Sequence, residues 1–175
     1  MGLSRSPSEG EAPVPSPLKV SHSLPGAPAA VYALLTDRDF QEGRLTETGG
    51  NDPQVVDLST TDGKTTIVTR QSIPASVLPS MVASMIPGDP VTERTEVWAA
   101  DGDGYTATFS VVVKGAPASL KGTMTLSADG EGSTLAVDGS AVVPIPLFGS
   151  KVEAIIVEQV GALLDSEAAY TAARL

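Results

Sequence analysis

The sequence predicts an α+β fold in which a curved antiparallel sheet of six or seven strands wraps around one long C-terminal helix. Three observations predict it. Segments with alternating apolar and polar residues recur along the middle of the chain, as expected of strands with one buried face. Short acidic turns that contain glycine join these segments in pairs. Residues 151–173 lack such turns and carry apolar residues at helical spacing.

The first predicted elements are a strand and two short helices. A half-buried strand is predicted over Leu18–Leu24, because apolar and polar residues alternate there. Residues 29–36 carry apolar side chains at helical spacing and predict a short helix. An aspartate, Asp37 or Asp39, then suits the N-cap of a second short helix that contains Phe40.

Three β-hairpins are predicted to follow these helices. Their paired strands are residues 55–61 with 65–73, 91–99 with 105–113, and 120–128 with 133–143. An Asp-Gly pair lies in each connecting turn, and this dipeptide favours the left-handed backbone of a tight hairpin. Glycines inside the last two strands suit the bending that a curved sheet needs.

The segment 74–90, between the first and second hairpins, is apolar but is interrupted by four prolines. Two interpretations stay open. The segment caps the core, or it forms a lid over a cavity mouth, where the flexible side chains of Met81 and Met85 suit varied ligands.

The terminal helix is predicted over residues 151–173, with a capping box formed by Ser150 and Glu153. Its apolar face holds Val152, Ile155, Ile156, Val160 and Leu163. Three polar residues fall on or beside that face: Gln159, Glu167 and Tyr170. Either they lie at a solvated end or bond to the sheet, or they line a cavity and orient a ligand.

Length and composition favour one domain, predicted over residues 18–175. Residues 1–17 are rich in Ser, Pro, Glu and Gly and predict a disordered tail. No apolar stretch reaches the roughly 18 residues of a transmembrane helix, so no transmembrane segment and a cytoplasmic location are expected. The net charge of −10, from 21 acidic and 11 basic residues, disfavours nucleic acid and anionic lipid as partners.

The sequence offers no convincing catalytic set, metal site or cofactor site. The chain has no cysteine, which excludes thiolate nucleophiles and cysteine metal ligands. His22 is the only histidine and is expected to be a hydrogen-bonded structural residue. Arg94, Glu96 and Trp98 share one face of a predicted strand. That face is either solvated, or it lines a cavity with Arg94 or Glu96 as polar anchor and Trp98 as apolar wall.

This order of elements resembles the helix-grip fold of the START-like superfamily, which includes lipid-transfer, polyketide-cyclase and plant allergen proteins. The stretches that carry the resemblance are residues 20–24 (VSHSL), 31–37 (VYALLTD) and 144–153 (PIPLFGSKVE). They resemble in particular the domain of unknown function 2505 family, typical of high-GC Gram-positive bacteria. The resemblance implies a deep apolar cavity between sheet and terminal helix, and it names no ligand.

The predicted function is therefore to bind or carry a hydrophobic small molecule, such as a lipid, an isoprenoid or a polyketide-like compound. The candidate ligand-binding residues are Met81, Met85, Trp98, Phe109, Val111, Met124, Leu126, Val137, Val152, Ile156, Gln159 and Leu163. Two alternatives stay open. One is a cavity enzyme of the polyketide cyclase or hydrolase kind, and the other is a protein-interaction module that uses the same groove.

Overall fold

The computed structural model describes residues 15–175, which form one antiparallel sheet and the helices that cover it. The strands are β1 (Ser16–Leu24), β2 (Asn51–Thr61), β3 (Lys64–Ser72), β4 (Val91–Asp101), β5 (Gly104–Val113), β6 (Ser119–Asp129) and β7 (Gly132–Val142). The helices are α1 (Pro28–Leu35), α2 (Arg38–Thr48), the single turn α3 (Ser80–Ala83) and the long α4 (Gly149–Ala172).

The seven strands follow the order β1-β7-β6-β5-β4-β3-β2, and every neighbouring pair is antiparallel. The predicted α+β fold, a curved antiparallel sheet around a C-terminal helix, is confirmed. The three hairpins are also confirmed. Their turns contain Gly63, Gly102 and Gly130, each with a positive φ between 58° and 75°, which glycine adopts without a steric penalty.

The first helices match their sequence signals closely. Pro28 occupies the first turn of α1, where its missing N–H has no intrahelical partner to lose. The Asp37 carboxylate accepts a hydrogen bond of 2.8 Å from the Phe40 backbone N–H, so Asp37 is the N-cap of α2. Strand β1 begins at Ser16, inside the stretch predicted to be tail, and residues 1–14 of that tail lie outside the described residues.

The predicted capping box at the start of α4 is wrong. The helix begins at Gly149, before residue 151 where it was expected to begin, and no side chain caps it. The Glu153 carboxylate instead accepts hydrogen bonds of 3.0 Å from the Ser16 hydroxyl and 3.0 Å from the Val143 backbone N–H. Glu153 is buried, and it satisfies polar groups at the ends of two strands that would otherwise lose hydrogen bonds.

Residues 74–90 lie between β3 and β4 and do not form a continuous helix. They contain a 3-10 turn at residues 75–77 and then the four-residue α3. Met81 is half-buried, whereas Met85 is 48% exposed.

Helix α1 covers one half of the inward face of the sheet, and that half is densely packed. Val31 and Leu126 have no exposed surface, and Trp98 is 1% exposed. The Tyr32 ring stacks on Tyr105 with ring centres 3.9 Å apart, and it packs edge-to-face with Trp98 with ring centres 6.2 Å apart. This region is the filled half of the interior, packed at the density usual for a protein core.

Candidate functional site

A cavity of about 110 Å³ lies between the middle of α4, helix α2 and the inward face of the sheet. Eleven apolar and five polar residues line it: Leu18, Leu45, Ile73, Phe109, Val111, Leu120, Met124, Val137, Val160, Leu163, Leu164, and Thr69, Gln71, Thr92, Arg94, Glu167. This region is the hollow half of the interior. Its polar residues lie on β3, β4 and the second half of α4, so one side of an otherwise apolar chamber is polar.

Strand alternation and cross-strand register bring the apolar wall together. Val111 on β5 lies opposite Leu120 on β6, and Met124 on β6 lies opposite Val137 on β7. Side chains at such paired positions point to the same face of the sheet. The helix closes the chamber with residues 160, 163, 164 and 167, which share one face at spacings of three and four.

Glycine makes room for the Phe109 ring in the floor of the cavity. Gly122 and Gly139 lie opposite each other on β6 and β7, and Phe109 lies opposite Gly122 on β5. A Cβ atom at position 139 would lie 2.8 Å from the Phe109 ring, which is too close for a carbon–carbon contact. The missing side chain at Gly139 therefore leaves room for the ring against the backbone of β7.

Four charged residues lie together between the filled and hollow halves, and we call them the charged cluster: Arg44, Arg94, Glu96 and Glu167. One Arg94 amino group donates to both Glu167 carboxylate oxygens at 2.8 and 3.0 Å, and the other pairs with Glu96. Arg44 lies 3.9 Å from Glu167, and the Trp98 indole N–H donates to Glu96 at 2.8 Å. Two cations thus balance two anions.

Both members of the central ion pair stay charged. Burial alone would raise the pKa of Glu167, but the nearby Arg44 and Arg94 outweigh it and hold that pKa below the ordinary value. Burial opposes the charge of Arg94 too, yet Glu167 and Glu96 raise its pKa above the ordinary value. The cluster is therefore a set of ions held by mutual attraction, in which each partner depends on the others.

A second void, of about 20 Å³, lies on the other side of the charged cluster, beside Trp98 and His22. It has room for about one water molecule and none for an organic ligand. The His22 ring nitrogen Nε2 lies 2.7 Å from an Asp165 carboxylate oxygen, which fixes β1 to α4. That contact agrees with the structural role expected of His22.

The structure brings five of the twelve candidate ligand-binding residues together in the cavity wall: Phe109, Val111, Met124, Val137 and Leu163. Trp98 borders the small void instead, and Leu126 is packed in the filled half. Val152 and Ile156 lie on α4 before the cavity begins, although they share its apolar face.

The remaining three candidates lie away from the cavity wall. Gln159 is exposed, because it precedes the wall residue Val160 by one position and so points about 100° away around the helix. Met81 and Met85 belong to the segment 74–90 and do not line the chamber. Met85 is about half exposed to solvent.

Sequence reasoning did not select several wall residues. Two wall residues, Thr69 and Gln71, lie on β3, and a third, Ile73, directly follows it. Two of these three residues are polar, so alternation of apolar and polar residues does not mark this end of the strand as inward-facing. The apolar Ile67 on the same face was the signal that could have found them, because inward positions recur every two residues.

The described residues form an open sheet that wraps around one long helix, with a mostly apolar cavity between them. That arrangement is the helix-grip fold. A family model described as "Protein of unknown function (DUF2505)" matches residues 19–175, and the chain belongs to that family.

A mycobacterial relative matches almost the whole chain. An uncharacterized protein of Mycobacterium tuberculosis, Rv0481c, is 28% identical over 166 residues, which cover 90% of this chain and 95% of the relative.

Two crystal structures share the fold. One is the Zhui aromatase/cyclase from Streptomyces sp. R1128, with a TM-score of 0.59 and 9% identity, covering 90% of this chain and 92% of that one. The other is the STAR-related lipid transfer protein from Xanthomonas axonopodis, with a TM-score of 0.57 and 18% identity, covering 87% and 84%. Among residues 15–175, no helix is long and apolar enough to cross a membrane.

Proposed function

We propose that this domain binds a hydrophobic small molecule in the cavity between the sheet and α4. The observation that carries the proposal is the cavity itself, about 110 Å³ of space with mostly apolar walls. Protein interiors are normally packed as densely as organic crystals. A bound apolar ligand would recover contacts that the empty chamber lacks.

The size of the cavity sets the scale of the ligand. An engineered apolar cavity of about 150 Å³ is known to bind benzene. The chamber here therefore suits one ring, a short chain, or the apolar end of a longer lipid, isoprenoid or polyketide-like molecule. The titles of the two solved structures name a cyclase and a lipid transfer protein, and these descriptions support a hydrophobic ligand without identifying it.

A cavity enzyme is the second candidate, favoured by the two charged residues in the wall. Glu167 and Arg94 both line the chamber. However, each is the other's ion-pair partner, and Glu167 also lies beside Arg44. A carboxylate held ionised by two arginines is a weak base, so binding without chemistry fits this site better.

The cytoplasmic location expected from the sequence stays a prediction, which cell fractionation would test.

Two matched variants on β5 test the proposal. Val111 lines the cavity, and its neighbour Val112 is 41% exposed on the opposite face. A fluorescent hydrophobic probe should bind the wild-type domain, and native mass spectrometry of gently purified protein should show any co-purified ligand. Val111→Trp should abolish probe binding by filling the chamber, while Val112→Trp should leave it unchanged. Equal binding by both variants, each with a wild-type circular dichroism spectrum, would place the probe elsewhere and refute the proposal.

A further inference from the structure

We infer that the cavity selects uncharged ligands carrying a hydroxyl or carbonyl group over carboxylates of the same size, and that Thr69 and Gln71 hold that group. This inference rests on the proposed function, because it concerns the same chamber. It adds a ligand class and two specificity-determining residues, both on β3 and separated by two positions.

The arginines near the cavity are not available to a ligand carboxylate. Arg94 already contacts two carboxylates, those of Glu167 and Glu96. Arg44 lies beside Glu167 and donates a hydrogen bond of 3.0 Å to the Gln41 side-chain oxygen. The two cations and two anions of the charged cluster sum to zero, so they offer no net attraction for an anion.

A ligand carboxylate would also lose hydration. It would enter a mostly apolar chamber in which Glu167 and Arg94, the charged residues of the wall, already neutralise each other. A buried anion that loses its hydration without gaining a cationic partner is strongly disfavoured. The chain as a whole carries a net charge of −10, which adds to the effect.

Thr69 offers a neutral alternative in the same wall. The residue is 8% exposed, and the hydrogen bonds of residues 15–175 include none from its hydroxyl group. In that part of the chain, Arg44 Nε is the one sealed side-chain nitrogen or oxygen without a partner. The Thr69 oxygen therefore borders open space, and the space beside it is the cavity. A hydroxyl group can both donate and accept a hydrogen bond.

Gln71 adds a second neutral group two residues further along the wall. Its side-chain oxygen accepts a hydrogen bond of 3.1 Å from the Gly50 backbone N–H, which orients the amide. The amide nitrogen, with two donor hydrogens, has no hydrogen-bond acceptor among the described residues. Thr69 and Gln71 together can thus pair with an alcohol or a carbonyl oxygen at the edge of an apolar chamber.

The test uses three probes of one skeleton with the full chain at neutral pH: toluene, benzyl alcohol and benzoate. Affinities would come from titrations followed by protein NMR shifts. We expect benzyl alcohol to bind on the order of tenfold more tightly than benzoate, which corresponds to one good hydrogen bond plus the avoided charge. Thr69→Val keeps the side-chain shape and removes the hydroxyl, so it should reduce the preference for benzyl alcohol over toluene and leave only the share that the Gln71 amide contributes.

Thr66→Val is the matched control, since Thr66 lies on the same strand but faces the other side of the sheet. It should leave all three affinities unchanged. Benzoate binding as tightly as benzyl alcohol, or a Thr69→Val variant that keeps the full preference, would overturn the inference while the proposed function stands. If none of the three probes binds, the proposed function fails, and the inference fails with it.

Discussion

The filled and hollow halves of the interior are built from the same strands, yet only one of them is densely packed. Beneath α1, Leu126 and Trp98 are sealed from solvent and aromatic rings stack on one another. Beneath the middle of α4, the inward residues of the same β5 and β6 strands surround about 110 Å³ of space. The comparison teaches that a helix-grip domain needs close packing over part of its sheet only. The remaining part is free to hold something else.

The charged cluster lies between the two halves. It connects α2, β4 and α4 through Arg44, Arg94, Glu96 and Glu167. Because every partner is buried or nearly so, removing one leaves an uncompensated charge. Substitutions in the charged cluster should therefore lower the unfolding free energy most. Substitutions in the filled half should lower it less, and those in the hollow half least.

The largest expected effect is that of Glu167→Gln, which leaves Arg94 and Arg44 without their shared carboxylate. The loss should be about 3–5 kcal/mol of unfolding free energy, typical of a broken buried ion pair. Urea denaturation at neutral pH would measure it. Glu158→Gln, on an exposed position of the same helix, is the control and should change stability by less than about 0.5 kcal/mol. Similar losses for the two variants would contradict a stabilising role for the cluster.

Acid should reduce the stability that the charged cluster contributes. The folded-state pKa of Glu167 lies below its ordinary value of 4.5, so its contribution to stability is complete above that value. The contribution is lost as the pH falls through the lower, folded-state pKa. Stability measured from pH 6 to pH 2 should fall more steeply in the wild type than in Glu167→Gln.

The carboxylate of Glu93 also contributes to the loss of stability in acid, so the comparison with Glu167→Gln is essential. A hydrogen bond from Arg70 lowers the pKa of Glu93, at the half-exposed outer face of β4. This contribution persists in both proteins and cancels in the difference. If stability falls equally with pH in the wild type and in Glu167→Gln, folding does not lower the pKa of Glu167.

In the filled half, Leu126→Ala should cost about 2–5 kcal/mol, because the side chain is fully buried and leaves a cavity among packed neighbours. The measurement is the midpoint and slope of urea denaturation. A loss below about 1 kcal/mol would mean that this half is not closely packed.

In the hollow half, Leu163→Ala should cost less, below about 2 kcal/mol, because this half-buried side chain already faces empty space and has fewer contacts to lose. A ligand of the cavity should widen the difference between the wild type and this variant. A loss equal to that of Leu126→Ala would remove the distinction between the two halves.

The sequence predicted the sheet well because its signals are local. Asp62 and Gly63 specify a hairpin turn by their own backbone preferences, and alternation along β5 gives its inward face directly. Family resemblance then implied a cavity. Its position along α4 was not predictable, because Ile156 and Val160 share one helical face and differ only in depth. The hydrogen bond from the Val143 backbone N–H to Glu153 was equally unpredictable, because only the fold brings the end of β7 against the start of α4.

The smallest and sharpest test enlarges a side chain in each half, on the same strand and the same face. Ala107 is buried beside Trp98 and Met124 in the neighbouring strands, and Val111 lies four residues further on in the cavity wall. Ala107→Val has no space to fill and should cost about 1–3 kcal/mol by overpacking. Val111→Ile adds one methylene group to the chamber and should change stability by less than about 1 kcal/mol, in the stabilising direction. Thermal denaturation would measure both. If Val111→Ile is as damaging as Ala107→Val, the chamber has no free space for a ligand, and the contrast between the two halves disappears.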